Sequence, residues 1–168
     1  MIIISIDPGF SGGISVFDVD LNLKKFNLLK YYKMPTIKDK SKDNKPELNI
    51  KMIYEIFKNE TPSLIVIEKV HAMPKMDIQS MFRFGEQIGI IKGLACSINV
   101  EVKQIEIKRW KKYFNLSKDK KESINLANKL FNINLKKTED GIAESILIGL
   151  YYIEYYIGKG LFNGDRNN

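Results

Sequence analysis

The sequence contains little of several residue types that mark special classes of protein. Its 168 residues include one cysteine, one histidine and one tryptophan. A single cysteine cannot form an internal disulfide, which excludes a disulfide-stabilised scaffold. The absence of an internal repeat excludes a solenoid. The longest apolar stretch near the C-terminus, residues 146–153, is too short to cross a membrane.

The first residues and the cysteine bear on the cellular compartment. The chain starts with a short apolar run that has no basic region before it, so we expect a strand and not a signal peptide. The neighbours of Cys96 are apolar or small, and we expect a buried, reduced thiol. Both observations favour a cytoplasmic protein.

The composition is that of a folded, basic protein. Hydrophobic residues make up 44% of the chain, and the length predicts one domain over residues 1–157 with a short polar tail at 158–168. Lysine and arginine number 27 against 20 acids, which gives a net charge of +7. Residues 101–130 hold nine of the basic residues and four acids, so most of the excess lies there. Such a segment favours phosphate contacts with a nucleic acid.

Hydrophobic periodicity predicts alternating strands and helices. Strands are predicted at 1–6, 14–18, 24–33, 63–68 and 100–107. Helices are predicted at 48–59, 77–98, 108–114, 122–131 and 138–157, the last with Thr138 as its N-cap. The charged stretch 36–46 is typical of a mobile surface loop. This order indicates an α/β fold in which helices cover a mixed sheet.

Four acids stand out by their positions. Asp7 and Glu68 each end an apolar strand, and Asp140 and Glu144 are four residues apart near the start of the last helix. Each acid alone has an ordinary explanation, such as a turn residue, an exposed strand end or a partner of the helix dipole. Together they form a set of carboxylates that suits Mg²⁺ or Mn²⁺, and two such ions can promote phosphodiester cleavage.

Four segments in order carry a family resemblance. They are IDPGFSGGISVFD (6–18), IVIEKVHAMP (65–74), FGEQIGIIKGLA (84–95) and EDGIAESILIGLYY (139–152). Together the segments resemble the RuvC-type Holliday junction resolvases, especially the phage-type members. The resemblance extends from residue 2 to about residue 152. It implies an RNase H-like fold: a five-stranded mixed sheet, with a three-stranded antiparallel meander plus parallel strands, covered by helices on both faces.

The resemblance also implies an activity and a site. Family members act as homodimers on four-way DNA junctions and use Mg²⁺ or Mn²⁺, two ions per site, to leave 5′-phosphate and 3′-hydroxyl ends. Asp7 and Glu68 match the family's strand acids. Many members have Asp-x-x-Asp on the last helix, but Gly141 stands at the first of those positions, so Asp140 is expected to replace it. Glu144 matches the last acid, and Glu139 competes with Asp140. A phage-encoded member would act in the host cytoplasm.

Further residues are expected to contact DNA or to pack. His71 follows Glu68 by three residues, where some members carry an aromatic wedge, and could stack on a base or contact phosphate. The expected phosphate contacts are Lys108, Arg109, Lys118, Lys120 and Lys121. Trp110 is expected to be buried beneath the basic helix, and Phe82 and Phe84 to pack in the core. The helix at 77–98 is expected to cover the sheet and form the dimer interface, carrying Phe84, Ile88, Ile91 and Ala95.

Other functions fit parts of the sequence. A broader-specificity phage debranching nuclease or an RNA-processing nuclease of the YqgF type would share the fold. A protein that binds branched DNA without cutting it is a further alternative, which the four acids disfavour. The glycine-rich stretch 7–13 is similar to the phosphate hairpin of the actin and sugar-kinase superfamily, but 168 residues lack the second domain copy that this fold needs. In the favoured interpretation, the glycines let DNA or metal approach Asp7.

Overall fold

A computed structural model describes residues 1–38, 46–69 and 77–158. Its strands are β1 Ile2–Asp7, β2 Gly13–Asp20, β3 Lys25–Lys33, β4 Thr36–Lys38, β5 Pro46–Leu48, β6 Leu64–Lys69 and β7 Val102–Glu106. Its helices are α1 Ile50–Glu60, α2 Ile78–Ser97, α3 Ile107–Tyr113, α4 Lys120–Phe131 and α5 Asp140–Tyr152, and a π-helical turn Ile153–Ile157 follows α5. No helix within these ranges is long and apolar enough to cross a membrane.

Five strands form the central sheet in the order β3-β2-β1-β6-β7. The pairs β1–β2 and β2–β3 are antiparallel, whereas β1–β6 and β6–β7 are parallel. The predicted mixed sheet, an antiparallel meander extended by parallel strands, is confirmed. The topology places β1 and β6 at the centre, where they are covered on both faces, and this explains their almost continuous apolar sequences.

Alternation along the strands builds a separate core on each face of the sheet. In β1, Ile4 and Ile6 face a core to which α1 and α2 contribute, and Ile3 faces the opposite core. That second core is formed with α3, α4 and α5. Helices therefore cover both faces, as predicted, and α5 is buried along most of its length.

A small polar network fixes α5 to the sheet inside its apolar surroundings. The hydroxyl oxygens of Ser5 and Ser15 lie 2.7 Å apart, and Ser5 Oγ also donates to the Ser145 carbonyl oxygen at 2.7 Å. Ser145 Oγ donates to the carbonyl oxygen of Ile142 at 2.8 Å. All three serines are fully buried. Because a buried hydroxyl without a partner is costly, these bonds favour one position of α5 on β1 and β2.

The largest differences from the predicted boundaries are at the loop 36–46 and at the last helix. The ends of the predicted loop at 36–46 pair as the antiparallel strands β4 and β5, and residues 39–45 lie outside the described ranges. The last helix begins at Asp140, with Glu139 and not Thr138 at its N-cap. The Glu139 carboxylate accepts from the Lys136 backbone N–H at 2.8 Å and forms a turn just before the helix. Apart from residue 158, the predicted polar tail also lies outside the described residues.

The orientation of α2 corrects two burial predictions. Phe82 is 76% exposed and Phe84 only partly buried, because the helix turns Gln87, Ile91 and Ala95 towards the sheet. Cys96 is exposed and not buried. Successive helical residues differ by about 100° in direction, so the neighbour of a buried alanine can face outward even where the local sequence is apolar.

Gly149 supplies a test of how tightly α5 packs. A Cβ atom there would lie 2.4 Å from Ser5 Oγ and 2.5 Å from Cε2 of Phe17. We expect Gly149→Ala to lower the free energy of unfolding by about 1–3 kcal/mol, measured by urea denaturation. The control is Asn125→Ala at an exposed position of α4, which should change stability by less than about 0.5 kcal/mol. Equal stability of the two variants would contradict the packing described.

Candidate active site

Two of the predicted acids lie side by side at the edge of the sheet formed by the C-terminal ends of its parallel strands. Asp7 is the last residue of β1, and Glu68 is the penultimate residue of β6. The strands are parallel neighbours, and their last paired residues are Ile6 and Ile67, so the acids follow at the same level. Alternation along both strands turns the two side chains to the face that α5 covers.

Helix α5 brings the other two predicted acids to this edge. Asp140 is its first residue, and Glu144 lies one turn later on the same side. The carboxylates of Glu68, Glu144 and Asp140 each raise the pKa of Asp7, so these three groups all lie within electrostatic reach of Asp7. The structure thus brings together the complete set that the sequence singled out, and we call these four residues the acid cluster.

Glu139, the competitor of Asp140, is directed elsewhere. Its carboxylate forms an ion pair with Lys33 Nζ at 3.3 Å and accepts from the Lys136 backbone N–H. It is absent from the groups that shift the pKa of Asp7, whereas Asp140 is among them. Of the two neighbours, Asp140 is the one that belongs to the acid cluster.

A contact between glycine backbones holds α5 against the loop that follows β1. Gly12 and Gly141 form an isolated parallel β-bridge. A Cβ atom on Gly141 would lie 2.1 Å from the Ser11 carbonyl oxygen and 2.5 Å from Gly12 Cα. One on Gly12 would lie 2.0 Å from the Asp7 carbonyl oxygen. The space where a side chain at either glycine would lie is therefore filled by backbone of the chain itself.

The same contact leaves no room for an acid at position 141. An aspartate at position 141 would place its Cβ against the backbone of the β1–β2 loop. The carboxylate is instead carried by Asp140, where the side chain is about 15% exposed and interacts with Lys120. Because α5 packs closely against the β1–β2 loop at Gly141, its first acid is carried by the preceding residue, Asp140.

Burial makes ionisation of the two strand acids costly. The pKa of Asp7 is raised well above its usual value, first by burial and then by the three other carboxylates, while Lys120 lowers it. Burial raises the pKa of Glu68 to about 7, opposed by a hydrogen bond from Trp110 and by Lys111. Trp110 Nε1 donates to Glu68 Oε2 at 3.0 Å. Positive charge placed near these acids would relieve both costs.

Two lysines already supply positive charge at the helix acids. Lys111 Nζ lies 3.0 Å from Glu144 Oε1, and both side chains are less than one-fifth exposed. Lys120 forms an ion pair with Asp140. The pKa of Lys120 is raised, first by its hydrogen bond to Asp140 and also by the charges of Glu144 and Asp7. The negative charge of the acid cluster is thus partly compensated by the chain itself.

The donor chemistry of the cluster suits a hard divalent cation. Its potential ligands are carboxylate oxygens, which Mg²⁺ and Mn²⁺ prefer. Mutual repulsion of the acids raises the pKa of Asp7, and a bound cation would remove that repulsion. As the side chains stand, no group of three or more His, Cys, Asp or Glu residues in the described ranges could hold a metal ion. The fit is therefore one of donor chemistry, and Lys111 and Lys120 now pair with Glu144 and Asp140, where a cation would bind.

The predicted DNA contacts lie in different places. Lys108 and Arg109 are exposed on α3, and Lys118, Lys120 and Lys121 are exposed near the start of α4. Of these five, only Lys120 contacts the acid cluster. Arg109 donates to the Tyr156 hydroxyl at 3.2 Å. His71 lies outside the described residues.

Sequence reasoning missed two residues of the site. Trp110 is fully buried, as predicted, but its indole N–H bonds to Glu68, and Lys111 pairs with Glu144. Both lie on α3, which follows β7, the parallel neighbour of β6. The signal that could have revealed them is the pairing of β6 with β7, because that pairing places the start of α3 beside the end of β6.

Comparisons with known proteins agree on the fold. No family model matches the chain, and no curated protein matches its sequence. Among solved structures, Thermus thermophilus RuvC in complex with a Holliday junction substrate is similar, with a TM-score of 0.68, 17% identity, and coverage of 95% of this chain and 97% of that one. The fowlpox virus Holliday junction resolvase is similar with a TM-score of 0.60, 18% identity, and coverage of 92% and 99%.

A further structure, the fowlpox virus resolvase with substrate Holliday junction DNA, has a TM-score of 0.56, 22% identity, and coverage of 92% and 97%. In each case the similarity spans nearly the whole of both chains, although the identities are low. The part of this chain covered by the similarity to RuvC includes the five-stranded mixed sheet and its helices. The chain therefore has the RNase H-like fold of the RuvC-type resolvases.

Proposed function

We propose that this protein is a structure-selective endonuclease that resolves four-way DNA junctions by hydrolysing phosphodiester bonds. One observation carries the proposal: acids from β1, β6 and α5 meet at one edge of a sheet that has the RuvC fold. Two of the similar proteins were solved with Holliday junction DNA. Fold alone does not specify chemistry, so the acid cluster, and not the similarity, is the main support.

The four acids are the proposed metal ligands. Asp7, Glu68, Asp140 and Glu144 would hold two Mg²⁺ or Mn²⁺ ions. Bound ions of this kind lower the pKa of a coordinated water and neutralise charge on the scissile phosphate. In the chain itself, Trp110 orients Glu68 through its hydrogen bond, and Gly141 keeps the first turn of α5 close to Asp7. The proposed products carry 5′-phosphate and 3′-hydroxyl ends.

The basic residues would hold the DNA around the acids. Lys111 and Lys120 pair with Glu144 and Asp140. Both ammonium groups would be available to the phosphate backbone when these carboxylates hold cations. Lys108, Lys118 and Lys121 are exposed and lie close to Lys111 or Lys120 along the chain. They would add phosphate contacts that do not depend on the DNA sequence.

The protein is proposed to act as a homodimer, because paired cuts across a junction need two sites related by two-fold symmetry. Ile91 and Ala95, which were expected at the interface, are buried against the sheet. The outward face of α2 is a better surface, since Ile78 and Phe82 are 80% and 76% exposed. Gly85, Gly89 and Gly93 are exposed along α2, with nothing within 4 Å of their Cβ positions, so a second helix could come close.

Metal binding can be followed through Trp110, the only tryptophan of the chain, because its indole N–H bonds to Glu68. We expect a saturable change in tryptophan fluorescence on titration with MgCl₂. Lys120→Met should lower the midpoint concentration by roughly threefold, since the cation no longer competes with an ammonium group. Lys121→Met, the neighbouring lysine without a contact to the acids, is the control. A fluorescence signal that ignores Mg²⁺ would contradict metal binding at Glu68.

Cleavage of a synthetic four-way junction tests the proposed activity. With Mg²⁺, the protein should introduce paired nicks across the branch point. Asp7→Asn and Glu68→Gln should each reduce the cleavage rate by roughly 100-fold or more, because a bound cation contributes several kcal/mol of transition-state stabilisation. Glu55→Gln, at an exposed position of α1, is the control and should cleave normally. Unchanged cleavage by Asp7→Asn would overturn the site assignment.

Parallel substrates separate the alternative functions. Equal rates on a flap, a replication fork and a junction would indicate a debranching nuclease. Preference for RNA would indicate an RNA-processing nuclease. Tight junction binding without cleavage in either Mg²⁺ or Mn²⁺ would indicate a branched-DNA-binding protein that does not cut.

The interface proposal predicts a change in mass. Gly89→Arg places a long charged side chain on the outward face of α2 and should convert a dimer into a monomer, measured by light scattering after gel filtration. Asn125→Arg adds the same charge on α4 and should remain dimeric. A monomeric mass for the unmodified protein without DNA would argue against a preformed dimer.

A further inference from the structure

A cavity lies away from the acid cluster. Its volume is about 560 Å³, and it is lined by Arg109, Lys112, Tyr113, Tyr151 and Tyr155. The cavity is formed between α3, the end of α5 and the π-helical turn. None of the four acids lines it, and its size is within the range of small-ligand sites. It therefore differs in both location and chemistry from the site described above.

Aromatic rings form one side of this cavity. The rings of Tyr151 and Tyr155 are stacked, with centroids 5.2 Å apart and planes at 20°. The ring of Tyr113 meets Tyr151 edge-on at 5.2 Å. Tyr151 is almost fully buried, whereas Tyr113 and Tyr155 are partly exposed. The rings are held by one another, so a flat ligand could stack on them at little cost in side-chain entropy.

Positive charge borders the aromatic rings. Lys112 is exposed and forms no ion pair within the described part of the chain. Arg109 bonds to the Tyr156 hydroxyl and lies 3.7 Å from a Glu106 oxygen, yet its side chain remains 56% exposed. The nearest acid on the turn, Glu154, accepts from the Tyr113 hydroxyl at 3.1 Å. Tyrosine faces beside lysine and arginine are what an unpaired nucleotide needs: stacking for the base and cations for the phosphate.

The position of the cavity indicates that its ligand belongs to the same DNA strand that is cut at the acid cluster. Helix α3 serves both places: Trp110 and Lys111 contact the acid cluster, while Arg109, Lys112 and Tyr113 line the cavity. Along α5, seven residues separate Glu144 from Tyr151, which corresponds to about 10 Å. Stacked nucleotides advance about 3.4 Å each, so the cavity is about three nucleotides from the acids along this direction.

We propose that this cavity is a base-binding pocket that takes an unpaired nucleobase of the DNA, a few nucleotides from the phosphate cleaved at the acid cluster. The proposal rests on the proposed nuclease function. The base stacks on Tyr155 and Tyr113, and Lys112 contacts the adjoining phosphate. Occupation of the pocket would fix which phosphate reaches the acids and would favour branched DNA, where bases near the crossing can leave the stack.

Photo-cross-linking tests the pocket without requiring cleavage. Four-way junctions carry 5-iododeoxyuridine at successive positions outward from the branch point, and the complexes are irradiated in EDTA. Mass spectrometry should locate the cross-link on Tyr155 or Tyr113 for iodinated positions a few nucleotides from the crossing. Cross-links confined to other parts of the chain would overturn the proposal.

Matched variants add an affinity measurement. Tyr155→Leu should lose the cross-link and weaken junction binding at least about fivefold, whereas Tyr54→Leu on α1 should bind normally. Lys112→Gln retains all the rings and should reduce the slope of log affinity against log salt by about one unit. If both pocket variants bind as tightly as the unmodified protein, with unchanged salt dependence, the pocket is wrong and the nuclease proposal stands. If the unmodified protein binds no junction, both proposals fail.

Discussion

The close approach of two backbones, Gly12 in the loop after β1 and Gly141 in the first turn of α5, underlies the arrangement of the acids. It occurs where neither residue has a side chain, and a single Cβ atom on either one would collide with backbone. Asp7 reaches this point from the sheet, and Asp140 and Glu144 reach it from the helix. The serine network below the contact favours the same placement of α5, so packing in the core and geometry at the site depend on the same helix position.

Charge balance is the second constraint. Four carboxylates at one sheet edge oppose folding because burial and mutual repulsion both raise the pKa of Asp7. Lys111 and Lys120 form ion pairs with the helix acids, and the indole N–H of Trp110 donates a hydrogen bond to Glu68. The fold can therefore form with its acids compensated, and the same lysines stand beside the place where a phosphate would bind.

The sequence predicted what depends on local pattern. Asp7 and Glu68 were identifiable because each acid ends an apolar strand, and adjacent parallel strands bring such ends together. The roles of Trp110 and Lys111 were not predictable, since they depend on where α3 lies relative to β6 after folding. Phe82 was predicted buried and is exposed, because apolar character alone does not reveal which side of a helix meets the sheet.

Gly141 shows what a sequence motif can predict and what requires the tertiary structure. Its position against the family pattern identified Asp140 as the replacement acid. The backbone contact that leaves no room for a side chain at position 141 is a tertiary feature, which the local sequence does not reveal.

The π-helical turn at Ile153–Ile157 has a consequence for how the chain tolerates insertions and deletions. A π-turn accommodates one residue more per turn than an α-helix, and each residue in an α-helix rotates the following side chain by about 100°. Removal of residue 153 or 154 would restore ordinary α-helical spacing and move Tyr156 into the i+4 position relative to Tyr151 that Tyr155 now holds. Which tyrosine ring stacks on Tyr151 in the cavity beside α3 thus depends on chain length at this turn as well as on the identity of the residues.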